Sequence, residues 1–187
     1  RRALDTQPAL IINTGGVSQL ITVANPYVMA YDPATGAELW RSNQISGEPA
    51  PAPIFAANLV LAIAPMDQLV AIRPDGSGDV TETHLAWSTF DDVPDIVSPL
   101  SDGQFVYMLT TGGLLTCSSI KDGSTVWQHD YEMTIRSSPS LAGERIYLTN
   151  SKGVTFILRS GAKFEQLGSC DLGEPVDTCP AMLDGRI

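Results

Sequence analysis

The sequence predicts an all-β fold, a partial β-propeller of about four four-stranded antiparallel blades plus the start of a fifth. Three observations predict it. Prolines open successive units at Pro8, Pro53, Pro99, Pro139 and Pro180, at separations of 45, 46, 40 and 41 residues. A period in the low forties with several short strands per period marks a radial array of small sheets. Short β-rich runs recur, as in Leu10-Ile11-Ile12, Val60-Leu61-Ala62-Ile63, Phe105–Leu109 and Arg145–Thr149, each bounded by Gly, Asn, Asp or Pro. No window sustains helical periodicity across three turns. Finally, a glycine stands four residues before a tryptophan twice, at Gly36/Trp40 and Gly123/Trp127.

Blades are expected over residues 6–45, 50–90, 96–132 and 136–172, with the next beginning at 177–187. In the fourth unit Ser138-Pro139-Ser140-Leu141 reads as the inner strand, Ala142-Gly143-Glu144 as a turn and Arg145–Thr149 as the second strand. Asn150-Ser151-Lys152-Gly153 is a second turn, residues 154–158 a third strand and residues 164–169 a fourth. The third unit repeats this order, with turns at Asp102-Gly103-Gln104, Thr111-Gly112-Gly113 and Lys121-Asp122-Gly123-Ser124. The first two units are longer, and the extra residues are expected in turns, around Asn25-Pro26 and over 75–83. Asp184-Gly185-Arg186-Ile187 matches the start of another second strand. The segment therefore reads as part of a larger ring of seven or eight blades. Its open blade faces are expected to make the isolated segment self-associate.

Composition narrows the function. The chain has 187 residues, 43% of them hydrophobic, enough to bury a core. Eleven basic against 21 acidic residues give a net charge of −10, which repels phosphate backbones and argues against nucleic acid as a partner. No apolar run approaches the roughly 20 residues of a spanning helix. No secretory signal is visible in the residues after Arg1-Arg2-Ala3-Leu4-Asp5. Cys117, Cys170 and Cys179 are too few for a disulfide framework and too scattered for a paired Cys-x-x-Cys zinc site. Cys170 and Cys179 flank a Gly173/Pro175 turn, so they either pair across it in an oxidising compartment or remain free.

The stretch Ala30-Tyr31-Asp32-Pro33-Ala34-Thr35-Gly36-Ala37-Glu38-Leu39-Trp40 resembles the pyrroloquinoline-quinone-type (PQQ-like) repeat. This is the tryptophan-docking blade of quinoprotein dehydrogenases and of periplasmic BamB-like scaffold lipoproteins. Ala30, Asp32, Thr35, Gly36 and Trp40 match its motif in full. The resemblance implies that the tryptophan ring closes one blade on the next and that the motif's Asp and Thr tie down the turn. Later copies depart from it. Arg73 stands where the motif has aspartate and Trp87 follows an insertion. Cys117, Ser119 and Asp122 replace the alanine, aspartate and threonine ahead of Gly123 and Trp127. The fourth copy, over 156–167, has no tryptophan. The resemblance further implies a bacterial protein that is periplasmic or otherwise exported.

Candidate chemistry is sparse. Trp40, Trp87 and Trp127 occupy the same place in successive units and read as packing elements rather than a ligand-stacking set. Asp75, Ser77 and Asp79 alternate as calcium-loop ligands do, but Ala86 stands where an EF-hand needs glutamate, and a flexible turn explains them equally. Asp91, Asp92 and Asp95 read as a solvated loop, since nothing nearby would separate their pKa values. His84 and His129 lie in no metal-binding spacing, and no Gly-x-Ser-x-Gly elbow or phosphate-binding glycine pattern is present. No catalytic residue is assigned. Tyr27, Phe90 and Tyr131 are the aromatics that a sugar or polymer at the loops would use.

The expected function is an exported scaffold that binds protein or ligand partners, with the negative charge favouring basic or neutral ones. No cofactor is expected in this segment. The alternative is part of a quinone-dependent dehydrogenase, holding PQQ with calcium, completed by further blades. That family carries an adjacent cysteine pair, which this chain lacks.

Overall fold

The computed structural model describes residues 9–181, so the expectations for Pro8, for Arg1 to Asp5 and for the Asp184-Gly185-Arg186-Ile187 strand start lie outside the described residues. Every regular element among the described residues is a strand. The chain divides into two compact units, Arg1–Asp95 and Ile96–Ile187.

In the first unit β1 (Ala9–Thr14), β2 (Val17–Ala24), β3 (Tyr27–Tyr31) and β4 (Glu38–Asn43) form an antiparallel meander. β5 (Ile54–Ala56), β6 (Leu59–Ala64) and β7 (Gln68–Ile72) begin a second one. Before its last strand, β9 (Leu85–Thr89), the chain makes a short β8 (Gly78–Asp79) that joins the first sheet instead, parallel to β4. The second unit holds β10 (Leu100–Ser101), β11 (Phe105–Leu109), β12 (Leu114–Ser119) and β13 (Thr125–Asp130) in one sheet. β14 (Ser140–Ala142), β15 (Arg145–Thr149), β16 (Val154–Arg159) and β17 (Gln166–Asp171) form the other.

The middle strands explain why short runs suffice. β6 and β7 are almost wholly buried, as β11 and most of β12 are, so they read as continuous apolar runs rather than alternating ones. In the first unit Ile21, Val28, Ala30 and Trp40 from one sheet pack with Val60, Val70 and Ile72 from the other. In the second, Tyr107, Leu109, Leu115 and Cys117 pack with Ile146, Leu148 and Leu158. Each sheet thus buries a face on its neighbour within the unit.

The two length anomalies resolve differently. The second lies where the sequence placed it, in the β7 to β9 connection, and it is structured. Val80 is buried in the core, its amide donates to Arg41 O at 2.9 Å, and Thr81 Oγ1 accepts from Asn43 N at 2.9 Å. The first is not at Asn25-Pro26, which is only a two-residue turn between β2 and β3. Matching Leu10↔Ile21 to Leu100↔Tyr107 puts the extra residues in a longer β1–β2 hairpin, which paired strands absorb without any looser turn.

Candidate functional site

The tryptophan motif is built the same way in the first three sheets. Trp40 pairs with Ala30, Trp87 with Ala71 and Trp127 with Cys117, and the register shifts immediately after each of those small residues. A bulge there turns the outer strand while a small partner leaves room for the indole. In the fourth sheet the volumes are exchanged, with Ile157 opposite Gly168 and the same bulge following. The bulge is a property of the turn, not of the tryptophan.

That turn is held by side-chain oxygens. Asp32 Oδ1 accepts from the amides of Ala34 at 2.7 Å and Thr35 at 3.1 Å, and Thr35 Oγ1 accepts from Ala37 N at 3.3 Å. Gly36, at φ +72°, donates to Asp32 O at 2.8 Å. The degenerate third copy keeps the same bonds with other residues. Ser119 Oγ accepts from Lys121 N at 3.3 Å, Asp122 Oδ1 accepts from the Ser124 amide at 3.1 Å and hydroxyl at 2.7 Å, and Gly123 (φ +74°) donates to Ser119 O at 2.9 Å. The Ser124 bonds favour the carboxylate and hold the Asp122 pKa below its ordinary value. Short oxygen-bearing side chains are interchangeable in such turns.

The Trp40 and Trp127 N–H groups are both linked toward the next sheet, the first through a relay and the second directly. Trp40, fully buried, donates to Gln19 Oε1 at 2.8 Å, and Gln19 Nε2 donates in turn to Pro74 O at 2.9 Å. Trp127 reaches Gly161 O directly at 2.9 Å. The Gly161 amide donates to Tyr107 Oη at 2.7 Å, and that hydroxyl donates to Asp102 Oδ2 at 2.8 Å. Ile21 occupies the place of Tyr107 in the first sheet, and Gln19 supplies the polar link that isoleucine lacks. Around Trp127 the rings continue. Phe164 meets its edge at 5.5 Å, His129 stacks on Phe164 at 3.9 Å, and Tyr131 packs against both His129 and Phe156.

The Cys117 thiol and the Tyr107 hydroxyl in this cluster are held neutral. Burial, with the Asp102 charge second, pushes the Cys117 thiol up to about 12. Burial followed by the Asp102 bond raises the Tyr107 hydroxyl as well. A thiol in that state is no nucleophile. Cys170 and Cys179 are free and exposed, so thiol reagents should modify them rapidly in the folded protein and reach Cys117 only on unfolding. Mass spectrometry counts the adducts, and rapid threefold modification would contradict the burial.

The remaining candidates are scattered. Asp79 accepts from the Thr81 hydroxyl at 2.6 Å and amide at 3.1 Å, which lowers its pKa, and it faces Arg41 at 3.6 Å. Asp75 lies 3.6 Å from His84 Nε2. Among the described residues no three His, Cys, Asp or Glu side chains converge on a metal-sized site. Of the three loop aromatics, Phe90 is exposed, Tyr27 lies under the Arg41 guanidinium and Tyr131 is buried. The residues that sequence reasoning passed over are Gln19, Tyr107 and Gly161. Tyr107 and Gly161 carry no motif of their own, and Gln19 precedes the motif by a full hairpin.

A search of the curated proteins finds no match. Among solved structures the chain is similar to BamB from Moraxella catarrhalis, at a TM-score of 0.63 and 14% sequence identity, over 87% of this chain and 49% of that one. At that identity the likeness shows the fold, the four-bladed part of a β-propeller. The chain spans about half the length of that structure. No helix among the described residues is long and apolar enough to cross a membrane. The family model described as outer membrane protein assembly factor BamB matches residues 24–163, from the β2–β3 turn into the fourth blade. This chain belongs to the BamB family of PQQ-like β-propeller proteins.

Proposed function

We propose that the chain forms part of an exported, periplasmic scaffold that holds protein partners, and that these residues carry no catalytic site. The observation that carries the reading is the family match over 24–163. The motif's polar groups support it, because the Trp40 and Trp127 N–H groups are consumed in joining one sheet to the next. A blade whose motif chemistry is spent on packing presents its loops, and loops on a rigid frame are where partners bind. Titration with pyrroloquinoline quinone and calcium, followed spectrally and by dye reduction, tests it. Neither stoichiometric binding nor dye reduction is expected, while photo-crosslinkers placed in the blade loops should yield protein adducts in the bacterial envelope. Stoichiometric quinone binding with dye reduction would overturn the reading.

A further inference from the structure

The two ends of the first unit differ in charge. At one end lie the β2–β3 turn, the β4–β5 connection, the β6–β7 turn and the exit from β9. These segments, residues 24–27, 44–53, 65–67 and 90–95, contain Glu48, Asp67, Asp91, Asp92 and Asp95 and no Lys, Arg or His. The opposite end mixes Arg73 and His84 with its acids, where Asp32 accepts from turn amides and Asp75 faces His84.

The acidic end also exposes large apolar side chains. Met66 is 84% and Phe90 66% exposed. Register brings them together, because Leu69 pairs with Thr89 and so places Phe90 beside the base of the hairpin that Met66 caps. The β4–β5 connection is tied to the same spot by Ser46 Oγ donating to Asp67 Oδ2 at 2.5 Å and by Gln68 Nε2 donating to Gln44 O at 2.9 Å. Asp67 and Asp91 thus adjoin Met66 and Phe90 in the chain, and the connection tied beside them carries Glu48. Arg41, on β4, is held by Glu38 at 3.2 Å and by Asp79.

We infer that this end is a docking surface for a basic protein segment that carries apolar side chains among its lysines and arginines. The inference rests on the scaffold reading and names the chemistry of its partner. Met66 and Phe90 supply the anchors, and the acidic rim supplies steering and sign selection. An anionic membrane or nucleic acid is repelled by the same rim.

The test uses the whole chain and three fluorescent peptides of equal length, alternating Lys/Leu, Lys/Ser and Glu/Leu, with anionic vesicles as a fourth probe. The Lys/Leu peptide should bind, the Lys/Ser peptide about tenfold more weakly, and the Glu/Leu peptide and vesicles not at all. M66S/F90S should weaken Lys/Leu binding by about tenfold, and D67N/D91N should weaken it and flatten its salt dependence. D75N, at the opposite end, should leave binding unchanged, and circular dichroism checks that every variant is folded. Equal binding of Lys/Leu and Lys/Ser, wild-type binding by folded M66S/F90S, or vesicle binding would overturn the surface. Envelope crosslinks that persist from other loops would then leave the scaffold reading standing, whereas quinone-dependent dye reduction would remove that reading by itself.

Discussion

Trp40→Ala is expected to destabilise the fold by about 3–5 kcal/mol, the usual range for deleting a large buried aromatic. For a chain of this size that lowers the melting temperature by roughly 6–20 °C. Two losses combine. The indole is fully buried between the first and second sheets, so its removal opens a cavity that Ala30, already small, does not fill. Its N–H also satisfies Gln19, which links onward to Pro74. Without the donor a buried amide oxygen is left unpaired, at a further cost of about 1–3 kcal/mol unless Gln19 turns to solvent. Trp40→Phe separates the parts, because it keeps most of the ring and deletes the bond. A thermal melt displaced by only a degree or two in Trp40→Ala would contradict the packing role.

Gly153→Ala should be comparably severe, at about 2–4 kcal/mol. Gly153 has φ +87°, and a Cβ there would strike the backbone carbonyl oxygen of Glu174. The approach is close because the chain leaving β17 crosses the β15–β16 turn, with Leu172 N donating to Gly153 O at 3.0 Å. Gly113 repeats the arrangement one sheet earlier. It has φ +101°, a Cβ added there would lie 2.5 Å from Met133 O, and Tyr131 N donates to Gly113 O at 3.1 Å. Gly103 supplies the control, since it has φ +90° but open space around its Cβ position. Gly103→Ala should cost only the backbone term, about 1–2 kcal/mol. Denaturant midpoints of the two variants check the order, and equal effects at Gly153 and Gly103 would show that the strand crossing contributes nothing.

Much of the fold was legible because each blade repeats its punctuation. Proline, turn glycine and β-rich runs recur in every unit, and a repeated error would have to be made four times. The β1–β2 hairpin was misjudged because extra residues in paired strands alternate like any strand and carry no turn signal, whereas Asn25-Pro26 carries a strong one. β8 was hidden for the opposite reason. Asp75 to Asp79 reads as a flexible acidic turn, and only tertiary pairing with β4 makes two of its residues a strand.

At the motif, Asp32, Thr35 and Gly36 bond locally, so sequence spacing suffices to place them. The partners of the indoles are non-local. Gln19 lies 21 residues from Trp40, and Gly161 lies 34 from Trp127. No spacing rule connects such residues, and they become visible only when the sheets are stacked. In the fourth blade Ile157 opposite Gly168 keeps a large side chain against a small one, with the large one moved to the other strand, although the pair fills less space than tryptophan with alanine.

The most direct test of the motif as a sheet-to-sheet clasp is hydrogen exchange at the indole N–H protons, followed by NMR. Those of Trp40 and Trp127, bonded to Gln19 and Gly161, should exchange only through global or blade-level opening, with protection comparable to core amides such as that of Tyr107. Exchange of either proton near the rate of free indole would contradict the clasp and return the motif to a merely local turn.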